Sequence, residues 1–212
     1  MKTEDLIAAI AADTASVGPS IGRRTVAVLA LGAVIAALVF AGLLGPRPDW
    51  RAAVETVRFP FKFLPTLLLA VGGIGALVRL SRPEGRIGVW GGVLGLAAGL
   101  LGASVVVELT VEPPSRWATL MIGHNALHCL ALTPFLSIAP LAAALLAARH
   151  GATTRPRLTG LVAGLAAAGV GATLYAMNCT DDSPLFVALW YPLAVAIVAV
   201  VGARLGRRLL VW

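Results

Sequence analysis

No charged residue occurs between Arg24 and Arg47, and five further apolar stretches follow along the chain. A bilayer core about 30 Å thick is crossed by about 20 predominantly apolar residues in helical form. Backbone polar groups inside lipid must be satisfied within the segment, which makes the α-helix the usual spanning element. The chain is therefore predicted to be an all-α, polytopic membrane protein.

Charged residues at the edges of the apolar stretches divide the chain into six predicted spans. The stretch from Arg116 to Arg149 is longer than one crossing needs and too short for two. It is interpreted as one long helix, bent by Pro134 and Pro140. The second span requires the basic side chains at its ends, Lys62 among them, to extend towards water. The predicted spans lie near residues 25–44, 60–79, 87–107, 119–147, 158–178 and 184–204.

Smaller signals predict where one helix begins and how others pack. Ser183 and Pro184 have the residue types of a helix N-cap and of a first helical position. Small residues spaced by three or four positions let helix backbones approach closely in lipid. Glycines with this spacing, predicted to pack inside the bundle, are Gly88, Gly92, Gly95 and Gly99 on the third span and Gly160 and Gly164 on the fifth.

The composition excludes a nucleic-acid-binding domain. Of the 212 residues, 58% are hydrophobic and only 13% are charged, whereas a soluble domain has about a quarter of its residues charged. The net charge of +7 comes from basic residues at the edges of apolar stretches, where they orient a membrane protein. The expected surroundings are a lipid bilayer, without direct contact to nucleic acid.

The distribution of lysine and arginine predicts the orientation. Cytoplasmic loops carry an excess of basic residues, so both chain ends are predicted to lie in the cytoplasm, with the protein in the bacterial inner membrane. The predicted units are a cytoplasmic tail (1–22), a six-helix transmembrane domain (23–208) and a short cytoplasmic end (209–212). The basic residues assigned to the inside are Lys2, Arg23, Arg24, Arg79, Arg82, Arg86, Arg149, Arg155, Arg157, Arg204, Arg207 and Arg208; those assigned to the outside are Arg47, Arg51, Arg58, Lys62 and Arg116.

The tail has the pattern of a short amphipathic helix. Acidic residues after Thr3 favour a helix start, because they lie near the positive end of the helix dipole. Such a short helix is marginal alone and is stabilised by a partner surface, unless it lies on the membrane or frays in water. The acids are Glu4 and Asp5, and the apolar face holds Leu6, Ile7 and Ile10.

The fourth span carries a polar stripe. At 100° per residue, His124 and His128 share one helix face, and Asn125 and Cys129 share the adjacent face. Polar groups at membrane depth normally face the interior of the bundle. The stripe is therefore expected inside the bundle, in the outer half of the membrane.

The second cysteine, Cys179, follows the fifth span together with Asp181 and Asp182. These groups and the polar stripe are expected to converge on the periplasmic side. Thiolate and imidazole suit a soft or borderline metal, although the spacing matches no standard zinc motif. A disulfide is the second possibility, and it requires Cα atoms within about 7 Å. The third is that the stripe makes interhelical hydrogen bonds while the cysteines act as small buried hydrophobes.

Four segments resemble the NrsF family, six-helix membrane proteins of proteobacteria that act as negative regulators, or anti-sigma factors, of extracytoplasmic-function sigma factors. The resemblance covers essentially the whole chain. The motifs are Met-Lys-Thr-Glu-Asp-Leu-Ile at 1–7, Leu-Gly-Pro-Arg-Pro-Asp at 44–49, Gly-His-Asn and the following Cys at 123–129, and Asn-Cys-Thr-Asp-Asp-Ser-Pro-Leu-Phe-Val-Ala-Leu-Trp-Tyr at 178–191.

The resemblance implies a regulator rather than an enzyme. The tail would hold an extracytoplasmic-function sigma factor away from RNA polymerase, and Cys129 and Cys179 match the pair that the family offers as sensors of heavy metal or oxidative stress. No resident cofactor is expected, and a metal would bind only transiently. The residues assigned to sigma binding are Glu4, Asp5, Leu6, Ile7, Ile10 and Asp13; the possible accessory ligands are His124, Asn125, His128, Asp181 and Asp182.

Two other classes of function compete with regulation. A small-solute or metal transporter or channel would use the polar stripe and the proline-bent helix, but no ionisable residue lies deep in the cytoplasmic half of any span. A membrane thiol oxidoreductase would use a Cys-x-x-Cys pair, which the sequence lacks.

Overall fold

Helices dominate the computed structural model, which describes residues 3–5, 7 and 21–211 of the chain. Within these residues, six helical segments are long and apolar enough to cross a membrane, and no strand occurs. Residues 3–5 and 7 are also helical. The remaining helices are α1 (Ile21–Leu43), α2 (Trp50–Val54), α3 (Arg58–Leu80), α4 (Val89–Val111), α5 (Pro114–Ile122), α6 (Ala126–Leu136), α7 (Ile138–Ala148), α8 (Pro156–Asn178) and α9 (Pro184–Leu209).

The all-α class is confirmed, and six helices are long and apolar enough to span a membrane; the fourth bends between Pro134 and Pro140 as predicted, but the predicted start near residue 119 is wrong. The stretch 119–147 holds three helices: α5 stops at Ile122, and the span itself, Ala126–Ala148, consists of α6 and α7. Gly123, with a φ of 60°, ends α5, and the second break follows at Ser137, between two prolines. Because Pro140 has no N–H to donate, the carbonyl one turn earlier loses its helical partner and the chain bends.

The alternating direction of the spans places the connections at two ends of the bundle. We call the end formed by residues 44–57, 112–125 and 179–183 the loop end. At the opposite end, the terminal end, α1 begins and α9 finishes, beside the segments 81–88 and 149–155. Backbone hydrogen bonds tie each end together: Arg47 N to Met177 O at 3.0 Å, and Ala152 N to Ser81 O at 3.1 Å.

Helix α8 lies at the centre, where alanine and glycine line most of its length. It packs tightly on α9 because glycines face glycines: a Cβ added at Gly160 would lie 2.7 Å from Gly206 Cα, and one at Gly164 would lie 2.6 Å from Ala199 Cα. Small residues allow this approach and the dispersion contacts that follow from it. The predicted packing role of Gly160 and Gly164 is confirmed.

The packing role predicted for the glycines of the third span is wrong. A Cβ added at Gly92, Gly95 or Gly99 would meet no atom of the described residues within 4 Å. Helix α4 lies at the edge of the bundle and buries only Ala97 and Glu108. Its glycines face outward, where lipid would surround them.

The predicted start of the last span is confirmed. Ser183 is the N-cap of α9, its hydroxyl accepts a hydrogen bond from Leu185 N at 3.3 Å, and Pro184 occupies the first helical position. This cap also fixes the direction in which the segment 179–183 joins α8 to α9.

Candidate functional site

Two basic side chains that the sequence assigned to the outside are buried at the loop end. Lys62 is 1% exposed and Arg47 is 6% exposed. The expectation that Lys62 extends to water is therefore wrong. Burying a charge is costly unless it is paired and hydrogen-bonded, so the partners of these two cations define the site.

Both cations converge on the segment 179–183. Lys62 Nζ donates to Asp182 Oδ1 at 2.6 Å and to the Cys179 carbonyl at 2.7 Å. Arg47 Nη1 donates to Asp182 Oδ2 at 2.7 Å and to the same carbonyl at 3.3 Å. The carboxylate of Asp182 is thus shared between a lysine of α3 and an arginine that follows α1.

The other side of the Arg47 guanidinium is also occupied. Its Nε and Nη2 donate to the two carboxylate oxygens of Asp49 at 2.7 and 2.8 Å, and the ring of Phe59 lies against both cations, 5.3 Å from Arg47 Cζ and 4.7 Å from Lys62 Nζ. The hydrogen bonds from Arg47 lower the pKa of Asp49, and those to Asp49 and Asp182 raise the pKa of Arg47. Both groups therefore stay charged at neutral pH.

A second group of charges lies beside the first. Arg58 pairs with Glu108 at 3.1 Å and with Glu112 at 2.7 Å, and Arg116 adds a contact to Glu112 at 2.9 Å. Glu108 is buried and accepts a hydrogen bond from the Ser183 hydroxyl at 3.0 Å. The cap of α9 is therefore joined to the end of α4.

Asp181 closes the break before α6. Its Oδ2 accepts hydrogen bonds from His124 N at 2.9 Å, from Asn125 N at 2.8 Å and from Asn125 Nδ2 at 2.9 Å. Burial acts to raise the pKa of Asp181, but these hydrogen bonds outweigh it and the pKa lies below its ordinary value. Because the first N–H groups of a helix lack intrahelical partners, Asp181 acts as a cap supplied from another part of the chain.

Gly123 is required by this arrangement. Its φ of 60° and ψ of −165° lie in a region that is essentially restricted to glycine. A Cβ at this position would also lie 2.7 Å from Phe186 Cε2 and 2.9 Å from Asp181 Cγ. The sequence motif Gly-His-Asn is thus a turn that docks on the segment 179–183.

The two cysteines are free thiols in one buried cluster. Cys129 is 0% exposed and Cys179 is 1% exposed, and the cluster also contains Tyr175 and Phe186. Cys129 Sγ lies 3.9 Å from Thr133 Oγ1, and Cys179 Sγ lies 3.7 Å from the carbonyl of residue 181. Burial raises the pKa of the Cys179 thiol, although the charge of Lys62 acts in the opposite direction. Both sulfurs are thus shielded from solvent, and the Cys179 thiol is held protonated.

The structure brings only part of the predicted ligand set together. His124 and Asn125 precede α6 instead of lying on a helix face, and the predicted stripe is absent. The His124 side chain is 90% exposed and His128 is also exposed, whereas Asp182 is turned towards the cations. Among residues 3–5, 7 and 21–211, no group of three or more His, Cys, Asp and Glu side chains is placed to hold a metal.

The tail residues predicted to bind sigma fall partly within the described chain. Glu4, Asp5 and Ile7 are exposed, with Ile7 at 62%. Leu6, Ile10 and Asp13 lie outside the described residues.

Sequence reasoning missed Arg47, Lys62, Glu108 and Ser183 as members of the site. The available signal was a balance of charge: the segments of the loop end hold three basic and five acidic residues, and Arg58, Lys62 and Glu108 on the adjoining helix ends bring the totals to five and six. An excess of basic residues serves orientation, but matched opposite charges at the edge of a bundle indicate pairing. The network clamps the segment 179–183, which carries one of the two thiols.

Fold and site together define a helical bundle of the polytopic membrane class, with six possible spans and two buried thiols behind an ion-pair network at one end. The chain matches the NrsF family, described as negative regulator of sigma F, over residues 10–212. It is 38% identical over 217 aligned residues to the anti-sigma-F factor NrsF of Caulobacter vibrioides, and 36% identical to the probable anti-sigma-F factor NrsF of Azospira oryzae; each match covers 100% of both chains. The chain belongs to the NrsF family of regulators. No solved structure matches it.

Proposed function

We propose that this chain is an anti-sigma factor that holds an extracytoplasmic-function sigma factor at the bacterial inner membrane. The observation that carries the proposal is the full-length similarity to two proteins named as anti-sigma-F factors. The described helices are joined by short connections, of which 81–88 is among the longest. A soluble partner therefore has the tail and these connections to bind.

The tail supplies the main contact in this proposal. Ile7 is an apolar side chain exposed next to the exposed acids Glu4 and Asp5. Exposed apolar groups beside charges suit a helix that docks in a groove of a partner. Leu6 and Ile10 extend the apolar face by the helical spacing of the sequence.

The terminal end is proposed to face the cytoplasm. Four of the five basic residues assigned to the outside are paired with acids, which accounts for their presence there; the four are Arg47, Arg58, Lys62 and Arg116. The segments and helix ends of the terminal end carry eleven arginines, against one acid, Glu84, in the segment 81–88. The positive-inside tendency therefore favours a cytoplasmic terminal end, beside the tail.

The thiols Cys129 and Cys179 are proposed to sense heavy metal or oxidative stress. Because both are buried in the same cluster, a thiophilic metal or an oxidant reaches them only when the loop end opens. A ligand that binds only the open state shifts the population towards it. The tail would hold sigma in the closed state and release it in the open one.

Transport finds less support than regulation. The Lys, Arg, Asp and Glu side chains of the described spans lie within two turns of a helix end, and the cavity beside Pro65, Ala97 and Pro192, about 170 Å³ in volume, is lined almost entirely by apolar groups. A path for an ion or polar solute needs polar groups through the membrane.

A bacterial two-hybrid assay between the full-length chain and each extracytoplasmic-function sigma factor of the same genome tests the sigma contact. Binding of one sigma factor is expected, with loss of the signal on Leu6→Asp combined with Ile10→Asp. Ala12→Asp is the control, because helical spacing places its new negative charge on the opposite face of the predicted helix. Absence of binding by every sigma factor would contradict the proposal.

The sensing role has a separate test. In cells exposed to cadmium or peroxide, a Cys129→Ser, Cys179→Ser double variant should keep the sigma-dependent genes repressed. Normal induction in that variant would overturn the sensing role and leave the sigma contact intact.

A further inference from the structure

The carbonyl of Cys179 is the acceptor on which two buried cations meet. Lys62 Nζ and Arg47 Nη1 both donate to it, and both also donate to the Asp182 carboxylate three residues along the chain. Each cation therefore donates to two acceptors of the same short segment, the Cys179 carbonyl and the Asp182 carboxylate. We call Arg47, Lys62 and Asp182 the clamp.

The clamp is satisfied by the groups that surround it. The Lys62 ammonium donates two hydrogen bonds and lies against the ring of Phe59. Arg47 has Asp49 as a further ion-pair partner. Removing one member leaves the remaining charges at the same depth with fewer partners, which is more costly than exchanging the whole group for apolar residues. The segment 179–183 is therefore held in its closed position by these hydrogen bonds and ion pairs as well as by the packing of Cys179 in the buried cluster.

The clamped carbonyl and the buried thiol belong to the same residue. Cys179 Sγ is directed into the cluster with Tyr175 and Cys129, while its carbonyl is directed to the cations. A movement of the Cys179 backbone that carries its thiol out of the cluster breaks the hydrogen bonds from Lys62 and Arg47. The carboxylate of Asp181, which caps α6, ties the same segment to the helix of Cys129.

We propose that Lys62, Arg47 and Asp182 are positioning residues that keep the segment 179–183 closed and thereby control chemical access to the Cys179 thiol. The control of access to the thiol is argued only from the contacts of the clamp and does not require the proposed function. Its part in sensing rests on the proposed function, in which a thiol reagent must reach Cys179 for sigma to be released.

The test is the alkylation rate of single cysteines in the full-length protein in membrane vesicles, with N-ethylmaleimide as the probe and no sigma factor present. Cys129→Ser leaves Cys179 as the reporter, and Cys179→Ser leaves Cys129. In the first background, Lys62→Met and Asp182→Asn are each expected to raise the rate at Cys179 at least tenfold, on the order expected when a buried pair is broken. Lys62→Arg, which keeps a cation that can donate to both oxygens, should restore slow alkylation.

Two controls separate access from general loss of structure. Arg51→Met removes an exposed cation from the same loop outside the clamp, and it should leave the rate at Cys179 unchanged. In the second background, Lys62→Met should raise the rate at Cys129 much less than at Cys179. Rates at Cys179 within about twofold of the parent in both Lys62→Met and Asp182→Asn, or an equal increase at both cysteines, would overturn the proposal. Either result concerns the clamp alone, because sigma binding is measured separately.

Discussion

At the scale of single residues, the loop end depends on charged side chains that are buried. Lys62 marks the edge of an apolar stretch, and such a residue ordinarily extends its ammonium to water. It is buried because Asp182, far along the chain, meets it. The sequence shows both charges, but their pairing depends on the packing of α3 against the junction of α8 and α9. No local sequence pattern predicts that packing.

Gly123 gives the sharpest prediction at this scale. Gly123→Ala should destabilise the protein by about 2–6 kcal/mol, because it adds backbone strain of about 1–3 kcal/mol to overpacking of about 1–3 kcal/mol. Gly45→Ala shares the positive φ but has open space around the new Cβ, so it should show only the strain. The measurement is unfolding of the detergent-solubilised protein in SDS, followed by circular dichroism. Equal effects of the two substitutions would contradict the packing of Gly123 on Phe186.

Asp181 gives a prediction about pH. Its pKa is lower in the folded protein than the ordinary 3.8, so its charge contributes stability that is present above pH 3.8 and is lost as the pH falls through the folded value. Asp181→Asn keeps an acceptor for the α6 backbone but lacks the charge. The stability difference between the parent and Asp181→Asn should therefore be constant at neutral pH and should shrink below pH 3.8. A difference that does not change on acidification would show that charge plays no part in this cap.

At the scale of helices, six spans follow from the sequence because charge and length define them, whereas the interior of the fourth does not. The prolines of that stretch predicted a bend, but the end of α5 depends on Gly123 and on Asp181 from a distant segment. The spacing of glycines alone also did not predict which helices pack closely. It is the same on α4 and α8, and only the position of each helix in the bundle decides whether the glycines meet a neighbour or face outward.

This contrast makes a prediction for the two glycine sets. Gly160→Ala should destabilise the protein by about 1–3 kcal/mol, because the new Cβ would meet the backbone of α9 and overpack the contact. Gly95→Ala is the matched control in a helix of the same kind, and it should be neutral or slightly stabilising, since alanine is the better helix former. SDS unfolding of both variants decides the matter. A cost at Gly95 comparable to that at Gly160 would indicate that α4 has a partner the bundle does not supply.

At the scale of the whole molecule, the two ends of the bundle differ in kind. The loop end pairs basic with acidic side chains near two buried thiols, and the terminal end carries many arginines and few acids. This asymmetry predicts the orientation. Fusion of green fluorescent protein after residue 212 or within 81–88 should fluoresce, and alkaline phosphatase inserted within 112–118 should be active. The reverse pattern would place the thiols and the tail on the opposite sides from those proposed.

The central claim is that the chain holds a sigma factor at the membrane through the apolar face of its tail. The most direct measurement is the share of the cognate sigma factor that sediments with membranes from cells producing the full-length chain. The account predicts sedimentation with the parent and with Ala12→Asp, and a shift to the soluble fraction with Leu6→Asp, Ile10→Asp. A sigma factor that remains soluble with the parent, or that sediments equally with all three, would contradict it.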